Sequence, residues 1–422
     1  MIRVEDGKEC PPSKRPRPDR QGSSPILDPL LPGLPDDLAL LCLARVDRIS
    51  ALWGVARSWQ RRLYDCPFFF PARAKLGLPG GFNWLYVLIA SKNTNNSLDL
   101  DDHRTGGAAA FQWYAFDPLA AKWHRLPPMP HDVRFELSRR GFLPGPYSLS
   151  SIQCASTSDK LIVVAGTRTA GAGTQTAPSS RAATASVPRA PPGGMPPVEP
   201  ALDSPLVFHV RTASWSRGPR YTVPRRWCSC GTTAGGQLLV ASGCGNEWDL
   251  RTARQAEMWD TNGGAVAGWR AVQPLESSKL SREATPAVEF DGKLYMVSAR
   301  SGLVFNPGSE TWEPMQSGLT RGWNGPGVTS GGKLFVMDDT AGRIKAYDGG
   351  TESWVCVLED KRLKNLRNVV AAHGKICGSV GGLIRVVDIG KNPVEFRDIE
   401  IPVEGQIMGL QILSKLEGSV EL

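Results

Sequence analysis

The chain has 422 residues, of which 41% are hydrophobic and 21% are charged. This composition is typical of a folded globular protein, and the length exceeds one ordinary domain of about 100–200 residues. No apolar run approaches the ~18–20 residues that a membrane helix needs, and the polar, proline-rich N-terminus does not fit a secretory signal. Nine cysteines without framework spacing favour reduced thiols, and the formal net charge of +8 fits either acidic partners or a solvated surface.

The first 29 residues carry prolines and basic residues but no periodic apolar pattern, which predicts a disordered tail. The cluster Lys14-Arg15-Pro16-Arg17 could act as a nuclear import signal or could be an ordinary solvated tail. We therefore expect the protein in the nucleus, in the cytoplasm or in both.

Residues 31–77 have the apolar spacing of helices. A first helix is predicted after Pro35, because proline is tolerated in a first turn and the carboxylates of Asp36 and Asp37 suit a helix N-terminus. A second helix fits residues 50–64, and a short third helix fits residues 69–76. So short a segment buries its own apolar stripe poorly, which is what an interaction module needs.

From residue 82 onward the chain consists of short apolar runs bounded by turn residues, which predicts an all-β region. A tight turn followed by a stronger apolar run occurs five times, and each copy predicts a β-hairpin. The turns are Asp159-Lys160-Leu161, Gly236-Gln237-Leu238, Gly292-Lys293-Leu294, Gly332-Lys333-Leu334 and Gly374-Lys375-Ile376.

A second signal alternates with these hairpins, namely an aromatic residue, a turn and then a tryptophan. Short polar residues follow the first member of each pair and favour the turn between two strands. The pairs are Phe116 with Trp123, Phe208 with Trp215, Trp259 with Trp269, Phe305 with Trp312, Tyr347 with Trp354 and a degraded copy, Val387 with Phe396.

Each unit is therefore four strands, and the later copies recur at the ~40–50-residue period of propeller blades. Six aromatic pairs but only five hairpins leave one strand missing at the start, while residues 406–413 form one unpaired strand at the end. The sequence thus predicts a mainly β fold, a six-bladed β-propeller over residues 82–416 that the C-terminal strand closes. A segment rich in small residues and proline, about 167–204, predicts a disordered insert.

The aromatic pairs and the strand order resemble kelch repeats, whose blades end in a similar Tyr-x6-Trp pair. Residues 31–77 resemble an F-box. Leu31 to Leu38 match the family's Leu-Pro opening, Leu43-x2-Val46 its next apolar pair, and Leu52-x2-Val55-x3-Trp59 its second half. A small helical F-box followed by a kelch-like propeller is typical of plant F-box/kelch-repeat proteins of the Skp-interacting partner type.

This resemblance implies a non-catalytic adaptor of an SCF (Skp–cullin–F-box) ubiquitin ligase, with Skp and cullin as partners and no cofactor. The F-box would bind Skp, and the propeller would bind the protein that is to be ubiquitinated. The implied Skp-binding residues are Leu31, Pro32, Leu34, Pro35, Leu38, Leu43, Val46, Leu52, Val55 and Trp59. A propeller scaffold that binds partners without ligase assembly is the alternative.

Other functions are weighed against the residues. No HExxH, GxSxG or Cys-x2-Cys pattern is present, and the Gly-Lys dipeptides lack the context of a phosphate loop. Cys228, Cys230 and Cys244 could in principle bind a metal, but we expect the first two to point to opposite faces of a strand, which favours small buried blade residues. A nucleic-acid binder remains a weaker option on net charge alone.

Arginines recur in the connections that precede the innermost strands, which predicts a ring of guanidinium groups around the mouth of the central channel. Arginine and tryptophan on a rigid rim often anchor partners, so an acidic or phosphorylated substrate segment is expected there. The alternative is that local carboxylates pair with them. The candidate substrate-binding residues are Arg225, Arg226, Trp227, Arg282, Arg321, Trp323 and Arg367.

Overall fold

The computed structural model describes residues 29–46, 83–91, 110–118, 120–130, 133–134, 152–157, 159–165, 167–168, 201–245, 251–263, 267–276, 286–297 and 301–414, and single positions between 63 and 76. The chain forms two compact units, Met1–Gly80 and Gly81–Leu422. Within the described residues, no helix is long and apolar enough to cross a membrane.

The N-terminal unit is built around helix α1 (Asp36–Ala44), which begins directly after Pro35 as predicted. Ala39, Leu43 and Ala44 are buried in the unit. The buried side chain of Arg73 donates from Nη1 to the carbonyl oxygens of Ala44, at 3.1 Å, and Val46, at 2.6 Å. These bonds satisfy carbonyls that the end of a helix leaves without partners. The predicted helices over 50–64 and 69–76 fall mostly outside the described residues.

The second unit is a set of four-stranded antiparallel sheets, six of them among the described residues. Blade 1 is β26 (Gly405–Ser414), β1 (Asn83–Ser91), β2 (Ala110–Asp117) and β3 (Lys122–Arg125); blade 2 is β5 (Cys154–Ser156), β6 (Lys160–Val163), β8 (Leu206–His209) and β9 (Ser214–Arg217); blade 3 is β10 (Ser229–Thr232), β11 (Gln237–Ala241), β12 (Ala256–Asp260) and β13 (Arg270–Ala271). Blade 4 is β14 (Val288–Phe290), β15 (Lys293–Val297), β16 (Gly302–Asn306) and β17 (Thr311–Pro314); blade 5 is β18 (Gly327–Ser330), β19 (Lys333–Asp338), β20 (Arg343–Asp348) and β21 (Ser353–Glu359); blade 6 is β22 (Arg367–Ala372), β23 (Lys375–Val380), β24 (Leu383–Asp388) and β25 (Glu395–Glu400).

The first strand of each sheet contacts its counterparts in the two neighbouring sheets, in the closed order β26, β5, β10, β14, β18, β22 and back to β26. The fold is therefore a six-bladed propeller, as the sequence predicted. The C-terminal strand β26 pairs antiparallel with β1, from Trp84 opposite Leu413 to Ser91 opposite Gly405. This pairing covers the inner edge of β1 and closes the ring.

Smaller elements decorate the ring. Strands β4 (Val133–Arg134) and β7 (Thr167–Arg168) form a two-stranded ribbon, which the sequence did not predict. Helix α2 (Ser317–Gly322) connects blades 4 and 5, and 3-10 turns cover Thr252–Arg254 and Lys361–Leu363. The ribbon strand β7 lies at the start of the predicted insert, and residues 169–200 of that insert lie outside the described residues.

The aromatic pairs hold neighbouring blades together. Phe116 and Trp123 are direct cross-strand partners on the outer two strands of blade 1, and the pairs in blades 2, 4, 5 and 6 have the same register. In five blades the tryptophan indole N–H donates to a carbonyl of the preceding blade's last strand or of the connection that follows it. These bonds are Trp123 to Glu400, 3.0 Å; Trp215 to Pro127, 2.9 Å; Trp269 to Pro219, 3.0 Å; Trp312 to Gln273, 2.7 Å; and Trp354 to Leu319, 3.2 Å.

Blade 6 solves the same junction differently, because Phe396 has no N–H to donate. The guanidinium of Arg362, from the connection out of blade 5, lies 3.6 Å from the centroid of the Phe396 ring. The carbonyl oxygen of Arg362 accepts a 2.5 Å hydrogen bond from Arg385 Nη1 instead. A cation over an aromatic face thus replaces the neutral hydrogen bond at this seam.

Candidate functional site

The innermost strands surround a cavity of about 610 Å³. Among its described lining residues, Arg367 is the one cation and Asp339 the one carboxylate. We call the polar group Asp339, Asn365, Arg367, Asn368 and Gln406 the channel mouth, because all of them lie on or beside connections at the same end of the ring. Sites of this kind, concave and mostly apolar with few polar groups, are typical of ligand binding.

The channel mouth is held by hydrogen bonds between three segments. The backbone N–H of Asn365 donates to the carbonyl of Asp339, at 2.9 Å, which ties the connection before β22 to the end of β19. The amide of Asn368 donates to Ser379 Oγ, at 3.0 Å, and to the carbonyl of Ile407, at 3.2 Å. The second bond joins β22 to β26, so the inner strands of blades 6 and 1 are linked at the channel mouth.

The two charged residues of the channel mouth, Asp339 and Arg367, differ in their exposure to solvent. The Asp339 carboxyl group is 8% exposed, and burial raises its pKa, while the nearby positive charge of Arg367 lowers it. Burial is the larger effect. Arg367 itself is exposed at the first position of β22. The mouth therefore presents a solvent-facing cation above a largely buried acid.

Arg225 does not fit the expectation that it faces a ligand. Its side chain is 1% exposed and forms a 3.0 Å ion pair with Glu257, which is 2% exposed. Its Nη1 also donates to the carbonyls of Gln255, at 2.8 Å, and Ser242, at 3.4 Å. A local carboxylate has paired with this guanidinium, which was the alternative, and Arg225 therefore stabilises blade 3.

The other predicted rim residues are spread over different environments. Arg226 is buried, with its guanidinium 5.9 Å from the ring centroid of the half-buried Trp227. Arg321 is exposed on α2 and bonds its own helix at Ser317, through Oγ at 3.2 Å and the carbonyl oxygen at 3.3 Å. Trp323 lines the cavity but is mostly buried and stacks on Tyr295. Arg282 lies outside the described residues.

Sequence reasoning missed part of the channel mouth. Asp339, Asn365 and Gln406 line the cavity, and Lys361 and Lys364 are exposed on the connection that leads to Arg367. The density of cations between residues 361 and 367 was a usable signal. The contribution of Gln406 had none, because it depends on β26 being the inner strand beside β22.

The cysteines of blade 3 are structural. Cys230 lies on β10, and Cys228 lies two positions earlier, directly before that strand. Residues two positions apart along an extended chain face the same way, so the expectation of opposite faces was wrong. Both are buried in the same cluster between blades 2 and 3, and burial raises the pKa of Cys228 to about 12. No cluster of three or more potential metal ligands is found in the described part of the chain.

The N-terminal unit presents apolar residues to solvent. Leu38 is 47% exposed and Leu41 is 46% exposed on α1, whereas Leu43 is 5% exposed and lies in the core of the unit. Pro32 and Pro35 are also exposed, and Leu31, Leu34 and Val46 are partly exposed. Leu52, Val55 and Trp59 lie outside the described residues. We call Pro32, Pro35, Leu38 and Leu41 the apolar face; Leu41 is an addition to the predicted set.

The structure combines a propeller of six kelch-like blades with a preceding small helical unit that has an exposed apolar face. This combination is the architecture expected of an F-box/kelch-repeat protein. The chain is 29% identical over 427 residues to the F-box/kelch-repeat protein SKIP25 of Arabidopsis thaliana, covering 97% of this chain and 94% of the relative. It is 24% identical to the F-box protein AFR of the same plant, covering 74% and 69% of the two chains. The predicted resemblance to plant F-box/kelch-repeat proteins is thereby confirmed.

Two further comparisons add little. No protein-family model matches the chain. Among solved structures, a fungal alcohol oxidase in complex with copper aligns with a TM-score of 0.34 and 15% identity, over 49% of this chain and 48% of that chain. This likeness is too low to carry an argument.

Proposed function

We propose that the protein is the substrate-recruiting subunit of an SCF-type ubiquitin ligase. In this role the N-terminal unit binds Skp, which connects it to the cullin, and the propeller binds the protein to be ubiquitinated. The observation that supports the proposal most strongly is the match to an F-box/kelch-repeat protein, which extends over 97% of this chain and includes both units. The protein itself performs no chemistry; it supplies proximity and orientation.

The apolar face supports the Skp half of the proposal. Large exposed apolar side chains cost solvation free energy unless a partner covers them. In the described part of the chain, five large apolar side chains are strongly exposed, and three of them, Leu38, Leu41 and Leu76, belong to the small N-terminal unit. Their concentration there is what a docking module requires.

A pulldown with purified Skp and cullin tests the proposal. The double variant Leu38→Asp, Leu41→Asp should lose Skp retention, because two carboxylates would be buried against an apolar partner. The matched control is Val355→Asp, which makes a similar change at a residue that is 51% exposed on β21 of the propeller. The control should retain Skp, and both proteins should keep the wild-type melting transition.

Either of two results would contradict the proposed role in a ubiquitin ligase. One is a wild-type chain that retains neither Skp nor cullin; the other is retention that the double variant leaves unchanged. A propeller scaffold that acts outside a ligase would then be the better description. Weak salt dependence of substrate binding would in turn dismiss a nucleic-acid binder.

A further inference from the structure

The channel mouth contains a structural irregularity that the other inner strands lack. In β22, Arg367 lies opposite Ser379 and Val370 lies opposite Cys377, so Asn368 and Val369 together face one residue. In β26, Met408 is the extra residue between Gly409 and Ile407. The described inner strands β5, β10, β14 and β18 pair without any such shift.

These two β-bulges are neighbours and are bonded to each other. Asn368 adopts a left-handed backbone with φ of 48° and donates from its side-chain amide to the carbonyl of Ile407. A bulge re-aims the side chains next to it, and a left-handed non-glycine residue is maintained only where its surroundings fix it. Both bulges line the cavity, on either side of the exposed pair Arg367 and Gln406.

Apart from the buried Asp339, the charged residues around the channel mouth are positive. On the connection before β22, Arg362 is neutralised by Asp360, at 2.7 Å. Lys361, Lys364 and Arg367 form no ion pair within 4.0 Å among the described residues. A strip of three cations therefore runs along the connection and ends inside the cavity at Arg367. Amide side chains of Asn365 and Gln406 flank that end.

We propose that the channel mouth, beside the β-bulges of β22 and β26, is the principal subsite of the propeller for its substrate. This subsite binds an anionic side chain of an extended peptide segment. The inference rests on the proposed function, of which it specifies the substrate chemistry. The anionic group lies against the Arg367 guanidinium, which suits carboxylate or phosphate through two parallel hydrogen bonds. Asn365 and Gln406 bond the peptide backbone, and Lys361 and Lys364 attract the flanking acidic residues.

The test uses the full chain bound to Skp and a display library of random 12-residue peptides. The library should be enriched in peptides with Asp or Glu at one central position. For a synthetic copy of a selected peptide, Arg367→Ala should weaken binding about tenfold or more, since a hydrogen-bonded charge pair is lost. Arg367→Lys should weaken it less, and Asp339→Asn should strengthen it several-fold by removing a like charge from the cavity. A matched phosphoserine peptide separates phosphate from carboxylate preference.

Arg321→Ala is the control, because this exposed arginine hydrogen-bonds to its own helix and is not part of the channel mouth. It should leave peptide affinity unchanged, and every variant should keep Skp binding and the melting transition. Peptides without acidic enrichment, no selected peptide at all, or an affinity that Arg367→Ala does not change would each overturn the subsite. Because Skp retention is measured on the same samples, failure of the subsite is distinguished from failure of the ligase assignment.

Discussion

Blades 3 and 6 each carry an arginine where the chain enters the innermost strand, Arg225 before β10 and Arg367 at the start of β22, yet the two arginines have opposite environments. Arg225 is buried in an ion pair with Glu257, whereas Arg367 is exposed at the cavity. The difference comes from the third strand. Glu257 lies two residues before Trp259, the aromatic of its blade's pair, and the equivalent position before Val387 is occupied by Arg385.

The residue at this third-strand position therefore has opposite charge in the two blades. A carboxylate on the third strand draws the guanidinium of blade 3 into the interior, where the pair replaces contact with water. In blade 6 this position is occupied by an arginine, Arg385, which offers no carboxylate to Arg367. Arg385 binds Asp398 with both hydrogen bonds of a fork, at 2.6 and 2.8 Å, and leaves Arg367 available. A recurring sequence position in the blades therefore does not guarantee the same side-chain environment or the same role.

The largest expected effect breaks the ring that both blades depend on. Deleting residues 405–414 removes β26, and with it the partner of β1 and the carbonyl that Asn368 binds. We expect aggregation or loss of cooperative melting, because the inner edge of β1 becomes exposed and the seam beside blade 6 opens. Calorimetry and size-exclusion chromatography measure this outcome. Deleting only residues 417–422 is the control and should leave melting unchanged. A deletion variant without residues 405–414 that stays monomeric and melts cooperatively would contradict ring closure.

The buried pair of blade 3 should be the most sensitive single position. Glu257→Gln leaves a buried guanidinium without its counter-charge, which should lower the free energy of unfolding by about 3–5 kcal/mol. The matched control is Asp398→Asn in blade 6, where the carboxylate is 41% exposed and the pair should contribute less than ~1 kcal/mol. Denaturant unfolding of both variants measures these losses of unfolding free energy. Equal losses at the two positions would show that the environments do not differ as described.

The fold could be predicted from the sequence to a large extent, and the site only partly. Hairpin turns and aromatic pairs are local patterns, so blade number, strand order and the closing strand followed from them. The fate of Arg225 depended on Glu257, which is 32 residues away along the chain and becomes its partner only through strand register. The bulges at Asn368 and Met408 leave no sequence signature. Likewise, helical spacing gave the stripe of α1 but not that Leu43 faces inward while Leu41 faces solvent.

The aromatic seams extend the comparison to the outer strands. Trp215→Phe removes the donor to the carbonyl of Pro127 and should cost about 1–3 kcal/mol, because the acceptor loses its partner in a partly buried place. The reverse change in blade 6, Phe396→Trp, should bring no gain, since Arg385 already occupies the equivalent carbonyl of Arg362. Thermal and denaturant unfolding measure both. A clear stabilisation by Phe396→Trp would mean that the blade 6 seam is not saturated.

The smallest effect is a pH and salt dependence confined to the blade 6 seam. Hydrogen bonds from Arg362, through its side chain and its backbone N–H, lower the pKa of Asp360 from 3.8 to about 2. A carboxyl group whose pKa is lower in the folded state stabilises the fold above about pH 4, and this contribution is lost as the pH falls towards 2. Solvent screening keeps it below ~1 kcal/mol. Wild type should exceed Asp360→Asn in unfolding free energy at pH 5, and the gap should narrow at pH 3 and in about 1 M salt. A gap that is constant under both treatments would mean that the Asp360–Arg362 pair does not stabilise the seam, and that the aromatic contact of Arg362 with Phe396 acts without it.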